Sequence, residues 1–369
     1  MAVPSAHADS QAAPPARRTV YAWFPRDFNN RDTAAIDWRA LTHICYRSVV
    51  IQPDGTLKEP VARAEVARLV AEAHDHGVKV TVLVWGTTPE GSSQYLAHHQ
   101  ERAVASLVDY AKANDLDGIN MDDETWRETN SETQGPNREL ITQFFHRLRE
   151  AFDEVRLGYH ITWAAPPVIG AQDRWGEAWV DYRAVAGFID AFAIMSYCMN
   201  PPTIGWTTGA QPVRGGGKVT GHARDYATCI EDYLRATGGR NDKLLLGVAN
   251  DRGGTEWACR SDQALSPIIG KPRKVSARQA RANAQKHGRL FHPEQKVPWY
   301  RYREGDHWVQ GWYEDEESLA AKLELADSYD LQGVCIWVLD GAAEPPSTFE
   351  LIHRHLNARG HAGEDRTGA

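Results

Sequence analysis

Eight short runs rich in β-branched and aromatic residues recur along this chain, and most are followed by a stretch with apolar residues at helical spacing. That alternation constrains the fold more than any other feature. The runs cover 19–24, 43–51, 79–85, 118–122, 157–163, 191–197, 244–249 and 333–339. Between them, 61–76, 101–114, 138–152, 225–236 and 317–329 place apolar residues three to four apart, as a helix with one buried face requires. A final helix is expected after Pro345-Pro346, capped by Ser347 and running over 348–356. Strand and helix in regular alternation imply a parallel sheet with helical crossovers, hence the α/β class. Eight strands close a (β/α)8 TIM barrel. The competing fold, an open doubly wound sheet, carries a glycine-rich phosphate turn after an early strand. None is present; Gly215-Gly216-Gly217-Lys218 has Pro212 where a phosphate loop needs glycine, and reads as a plain loop.

The interval between the seventh and eighth runs is too long for a simple crossover. Over about 253–312 it holds Trp257, Cys259, Trp299, Tyr300, Tyr302, Trp308 and Trp312. A small aromatic-rich insertion is expected there, forming one wall of a cleft at the barrel mouth. The barrel with its insertion occupies 19–358, and 359–369 reads as a flexible tail. At the other end, Ala6-His7-Ala8 fits a small-x-small cleavage site, and the stretch from Asp9 to Arg18 is rich in Ala and Pro. Residues 1–18 are therefore read as the remnant of an export signal and a flexible lead-in, which implies a secreted or periplasmic protein.

Composition excludes some partners. The chain carries 41 basic and 49 acidic residues, a net charge of −8, so no basic face for nucleic acid is expected. No apolar run approaches the roughly 18–20 residues needed to span a bilayer, so no membrane segment is expected. A monomer is expected. Five cysteines show no metal-ligand spacing; Cys45 and Cys335 sit in apolar runs as buried thiols. One disulfide among Cys198, Cys229 and Cys259 is expected if the protein is exported. No metal and no cofactor are implied. The 13 tryptophans mainly fill the core, with a few forming flat platforms for sugar rings.

The chemistry concentrates in Asp117-Gly-Ile-Asn-Met-Asp-Asp-Glu124. Side chains alternate along a strand, so Asn120, Asp122 and Glu124 share one face and climb towards the C-terminal mouth, where barrel active sites lie. Asp123 points the other way, and Ile119 and Met121 form an apolar outer face. Two carboxyls crowded in a partly buried mouth resist double ionisation, so one keeps its proton near neutral pH. A protonated carboxylic acid is what glycosidic cleavage demands of the group that protonates the leaving oxygen.

The segment resembles the DGxDxDxE signature of the family 18 glycoside hydrolases, the chitinase family. The resemblance extends from Thr19 to about Leu356. Met195-Ser-Tyr197 resembles the family's Met-x-Tyr element after strand six, and Gly333-Val-Cys-Ile-Trp337 its final strand. Trp312-Tyr-Glu-Asp315, leading into an amphipathic helix, is similar to the branch that holds di-N-acetylchitobiase and the spore-cortex N-acetylglucosaminidases. The resemblance implies that Glu124 protonates the glycosidic oxygen and that the substrate's own 2-acetamido carbonyl is the nucleophile, with retained configuration. It implies that Asp122 orients the acetamido group, that Tyr197 hydrogen-bonds its carbonyl and that Trp337 packs beneath the sugar. The implied partner is an oligosaccharide or polysaccharide containing β-1,4-linked N-acetylglucosamine. Two departures stand out: Asn120 replaces a usual acid, and Cys198 stands where aspartate is common.

Further cleft residues are expected among the strand-end aromatics. Trp163 shares a face with Tyr159, taken as the inner one, and Trp85 ends the third run; either is expected to line the cleft. Trp126 is expected to contact the leaving group or to shield Glu124. Other readings remain: peptidoglycan as the glycan, a non-catalytic lectin on the same barrel, or a substrate without an acetamido group. The last needs a second carboxylate, for which Asp251, Glu256 and Asp340 are the nearby candidates.

Overall fold

The computed structural model describes residues 18–24, 33–167, 175–198, 207–209, 225–249, 254–339 and 346–357. Most of the expected lead-in, the tail over 359–369, the glycine run 215–217, Asp251 and Asp340 lie outside these residues.

In chain order the strands are β1 (Thr19–Phe24), β2 (His43–Ile51), β3 (Leu57–Lys58), β4 (Lys79–Trp85), β5 (Gly118–Met121), β6 (His160–Ala165) and β7 (Ala191–Ile194). They continue with β8 (Leu244–Ala249), β9 (Gly254–Cys259), β10 (Arg273–Val275), β11 (Leu290–His292), β12 (Val297–Glu304), β13 (His307–Tyr313) and β14 (Gly333–Trp337). The main sheet runs β1-β14-β8-β7-β6-β5-β4-β2, and β1 pairs back onto β2. Eight parallel strands thus close the (β/α)8 barrel, with the short β3 added antiparallel to β2.

Alternation divides the barrel residues into two layers. Outward side chains, among them Val82, Val84, Ile119, Met121, Ile161 and Phe192, form one core with the surrounding helices. Helix Arg138–Val155 shows the logic: Ile141, Phe144, Phe145, Leu148 and Phe152 recur three to four apart and all are buried. Each such side chain contributes about 1.5–3 kcal/mol on leaving water, which outweighs the polar remainder of the helix. Helix Glu316–Ser328 starts at a capping box, in which Asp315 accepts from the Ser318 N–H and the Ser318 hydroxyl accepts from the Asp315 N–H. Inward side chains form a second cluster inside the barrel: Tyr21, Trp23, Cys45, Leu83, Ala193, Leu245 and Cys335. Polar groups in the same interior find partners there. Trp23 Nε1 donates to Asn120 Oδ1 at 3.1 Å, and Asn120 Nδ2 donates to Thr162 Oγ1 at 2.7 Å.

Residues Gly254–Tyr313 between β8 and β14 form a separate antiparallel sheet in the order β10-β9-β13-β12-β11, with helix Ala277–His287 against it. Trp257, Trp299 and Trp312 are buried in a small core of their own with Val297 and Ile268. Trp299 and Trp312 stack at 5.3 Å. The insertion therefore uses these rings to hold itself together. Glu256 is likewise internal to it, bonded by Arg273, Asn283 and Tyr300, and is no candidate nucleophile.

Two expectations are corrected. The fifth barrel strand is not at 157–163: β6 begins at His160, and its inward residues are the even ones, such as Thr162 and Ala164. Among the described residues no disulfide is formed: Cys45, Cys229, Cys259 and Cys335 are all buried thiols, and the side chain of Cys198 lies outside the described residues. Cys229 belongs to the core between barrel and helices, whereas Cys259 lies in the insertion sheet, so packing holds them in different layers.

Candidate active site

The chain around the acidic row leaves the sheet just where the chemistry begins. β5 ends at Met121, and the Asp122 N–H still donates to Val84 O at 2.8 Å, so Asp122 keeps the strand's inward phase. The next four residues, Glu124–Arg127, form a 3-10 turn capped by Asp123, which accepts from the Thr125 N–H at 3.0 Å. Glu124 is thus the first residue of a capped turn. Strand alternation alone does not place it.

Asp123 is turned away, into the layer behind the barrel. Its carboxylate accepts from Ser92 Oγ, from Tyr95 OH at 2.8 Å and from Thr125 Oγ1 at 2.6 Å. Gly86 makes the room: a Cβ there would stand 2.0 Å from Asp123 Oδ2. Burial pushes the Asp123 carboxyl up, and these hydrogen bonds pull it back.

A cavity of about 290 Å3 opens at the mouth, lined by Arg47, Trp85, Asp122, Glu124, Met195, Tyr197 and Trp337 among others. Trp85 and Trp337 are half-buried, each presenting part of its ring. Trp337 lies nearly parallel to Tyr197, with centroids 6.3 Å apart and planes 21° apart. Tyr197 sits in a 3-10 turn, Ser196–Cys198, past the end of β7. The Ser196 hydroxyl anchors that turn by donating to Ile194 O and accepting from the Gly247 N–H, each at 3.2 Å. Gly247 permits the approach, since a Cβ there would meet Ile194 O at 2.0 Å.

Asp122 is half-buried, and its two oxygens differ. Oδ2 accepts from the Trp85 indole N–H at 2.7 Å, while Oδ1 is buried without a hydrogen-bond partner among the described residues. Burial, then the neighbouring Glu124 charge, push the Asp122 carboxyl from 3.8 up to about 8; the Trp85 bond and the Arg47 charge oppose them. Asp122 therefore holds its proton at neutral pH. An acid kept neutral beside a second carboxyl, with one oxygen lacking a partner among the described residues, is an arrangement for proton transfer and for binding a hydrogen-bonding group of a ligand.

The structure gathers Asp122, Glu124, Trp85, Met195, Tyr197 and Trp337 around this cavity. It places the other expected site residues elsewhere. Asn120 lies below, fully buried, its amide spent on Trp23 and Thr162. Trp163 faces outward with Tyr159 into the helix layer, against Trp126, Phe145 and Tyr182. Tyr159 and Trp163 do share a face, as alternation requires, but it is the outer one. Trp126 is also in that layer, and its indole N–H donates to Tyr95 OH at 2.6 Å, so neither ring reaches the cavity. Among the described residues, none from the insertion lines the cavity either, because the insertion tryptophans face their own core. Arg47 escapes a reading of motifs, although a lone cation inside the run His43–Ile51 signals a polar site at a strand end.

The family model described as Glycosyl hydrolases family 18 matches residues 19–342. Di-N-acetylchitobiase of Mus musculus is 25% identical over 252 residues, covering 63% of this chain and 63% of that protein. The cortical fragment-lytic enzyme of Bacillus subtilis is 28% identical over 210 residues, covering 55% of this chain and 43% of that protein. The chain thus spans less than two thirds of the length of either relative. Among solved structures, the Ostrinia furnacalis Group IV chitinase in complex with allosamidin superposes with a TM-score of 0.75 at 19% identity, covering 93% of this chain and 99% of that one. The Bacillus cereus spore cortex-lytic enzyme does so with a TM-score of 0.68 at 19% identity, covering 92% and 75%. These two likenesses establish the barrel fold.

Proposed function

The chain belongs to the glycosyl hydrolases family 18, and from that premise we propose that it is a retaining glycoside hydrolase that cleaves β-1,4-linked N-acetylglucosamine in chitin-type oligosaccharides by substrate-assisted catalysis. The observation that carries this reading is the buried Oδ1 of Asp122, without a partner among the described residues, beside Glu124 in a cavity bounded by Trp85, Tyr197 and Trp337.

A sugar ring seats against the Trp337 indole, which suits its apolar C–H face. The 2-acetamido N–H donates to Asp122 Oδ1, the acceptor left open. The Tyr197 hydroxyl donates to the acetamido carbonyl and aims it at the anomeric carbon. Glu124 gives its proton to the glycosidic oxygen as that bond breaks, and the acetamido oxygen closes on C1 as an oxazolinium ion. Water then opens this ion from the vacated side, returning a proton to Glu124 and retaining configuration.

An external carboxylate nucleophile is disfavoured by the chemistry of the candidates. Asp122 is neutral at pH 7, and Asp123 is bound by three hydroxyls behind the barrel. Of the acidic row, that leaves Glu124, which is needed as the acid. A peptidoglycan glycan strand, which shares the acetamido group, is the second reading; similarity to the cortical fragment-lytic enzyme favours it.

The test is incubation with chitobiose, longer chitin oligosaccharides and peptidoglycan, followed by product analysis with anomeric assignment. Cleavage with retention, abolished in Glu124→Gln and inhibited by a thiazoline analogue of the oxazolinium ion, is expected. Binding without cleavage by wild type supports the lectin reading instead. Cleavage that survives Glu124→Gln refutes the assignment of the acid.

A further inference from the structure

Arg47 lines the cavity, yet the mechanism gives it no task. It stands on β2, half-buried, and its guanidinium carbon lies 4.3 Å from the Trp85 ring centroid and 5.0 Å from that of Trp337. Those rings come from different sides of the barrel mouth. Trp85 is on β4, the neighbour of β2, whereas Trp337 is on β14, beyond β1. A flat, delocalised cation can lie against two indole rings at once, and the ring quadrupoles hold it there. Trp85 in turn donates its indole N–H to Asp122 Oδ2 at 2.7 Å.

We propose that Arg47 is a positioning residue of the active site: its guanidinium clamps the Trp85 and Trp337 rings across the mouth and, through the Trp85 indole N–H, holds the Asp122 carboxyl at the reaction centre. The proposal deepens the function proposed for the site and rests on it for its kinetic test. The clamp makes the width of the sugar seat and the stance of Asp122 one mechanical unit. It also adds a charge to the same place. Among the described residues, the groups around Asp122 include Glu124 and Asp123 from its own segment, Cys45 and Arg47 from β2, the Trp85 indole from β4 and Tyr197 across the cavity. Of these, Arg47 is the cation, and it counteracts the effects of burial and of the two acids.

Shape and charge are separable by substitution. Arg47→Met keeps bulk and loses both the planar cation and its charge. Arg47→Lys keeps the charge on a compact ammonium that cannot cover both rings. The experiment measures kcat and KM on a chitin oligosaccharide from pH 4 to 10 for wild type, Arg47→Met, Arg47→Lys, Trp85→Phe and the Met–Phe double variant. Arg47→Met is expected to raise KM about tenfold, the loss of a desolvated cation–π contact. It is also expected to move the Asp122 limb of the kcat/KM profile up by about one pH unit. Arg47→Lys is expected to raise KM with the limb in place, a split that a merely structural role does not produce. The double variant is expected to lose little more than Trp85→Phe alone, because both changes cut the same linkage.

A folded Arg47→Met with wild-type KM and pH profile overturns the proposal, as does a strictly additive double variant. If Arg47→Met does not fold, Arg47→Lys decides, and a wild-type KM there overturns it. If wild type cleaves none of the glycans, the substrate reading fails by itself. Arg47 is then tested without turnover, by the Tm of each Arg47 variant against the same variant carrying Asp122→Asn. The pH at which that difference levels off is expected to rise in Arg47→Met, and an unmoved plateau overturns the proposal.

Discussion

Asp122→Asn should make this protein more stable while removing its activity, and the gain should depend on pH in a defined way. The wild-type carboxyl is buried and moved from 3.8 to about 8, chiefly by loss of solvent and then by the Glu124 charge. Below about pH 4 the group is protonated in the folded and unfolded chains alike, and it contributes no pH dependence. Between about pH 4 and 8 the unfolded chain has released the proton and the folded chain has kept it, so stability falls as pH rises. Above the folded value the loss is complete. The rise spans a little over four pH units, and at about 1.4 kcal/mol per unit the full loss is roughly 6 kcal/mol. Asparagine has nearly the same shape and carries no titratable charge, and its side-chain oxygen can still accept from the Trp85 indole N–H. The variant should therefore match wild type near pH 4 and exceed it progressively up to pH 8. At about 2 °C per kcal/mol for a chain of this size, the Tm difference should reach about 12 °C. Thermal unfolding by circular dichroism in matched buffers from pH 4 to 9 measures this, with activity followed in parallel. A Tm difference that stays flat across that range would refute the argument, because it would mean that Asp122 is not held protonated by the fold.

Other expectations come from particular contacts. Glu124→Gln should lower kcat by about 10²–10⁴-fold, the usual contribution of a positioned general acid, and should bring the Asp122 carboxyl down by removing the adjacent charge; pH-dependent Tm and initial rates check both. Trp163→Ala should cost about 3–5 kcal/mol of stability by opening a cavity in the helix layer while leaving KM near wild type, measured by denaturant unfolding and steady-state kinetics. His160, stacked on His43 at 4.2 Å, is lowered to about 4 by burial. The folded ring stays neutral while the unfolded one takes a proton near 6.5, so stability should fall as pH drops from about 6.5 to 4, and His160→Gln should unfold at lower pH than wild type in an acid titration. Treatment with a thiol reductant should leave Tm unchanged, since the buried cysteines are thiols.

Much of the barrel is legible in the chain because the relevant forces are local. Period-two and period-3.6 patterns report which residues must leave water, and the runs at Thr19–Phe24, His43–Ile51, Lys79–Trp85 and Leu244–Ala249 coincide with strands to the residue. The inward phase of Asp122 and the outward phase of Asp123 come from the same alternation. Where a strand begins is a weaker local signal. The apolar pattern opens the run over 157–163 three residues before β6 does, and alternation pairs Trp163 with Tyr159 without telling which face is inner, so a ring that packs outward reads as a cleft residue.

The chemistry of the site lies further from the sequence. Motif order singles out Glu124, Asp122, Tyr197 and Trp337 as candidates, but not what sets their behaviour, because that depends on groups brought together from separate strands. Glu124 owes its place to a turn capped by Asp123, and Asp123 owes its own to Ser92, Tyr95 and the missing Cβ of Gly86. The proton on Asp122 depends on burial, on Trp85 from β4 and on Arg47 from β2. Desolvation and Coulomb interactions act through space and leave no periodic trace along the chain. The sequence by itself therefore determined the barrel and the identity of its acid pair, whereas only the closing of eight strands into a ring decided which of those acids keeps its proton and which aromatic rings surround it.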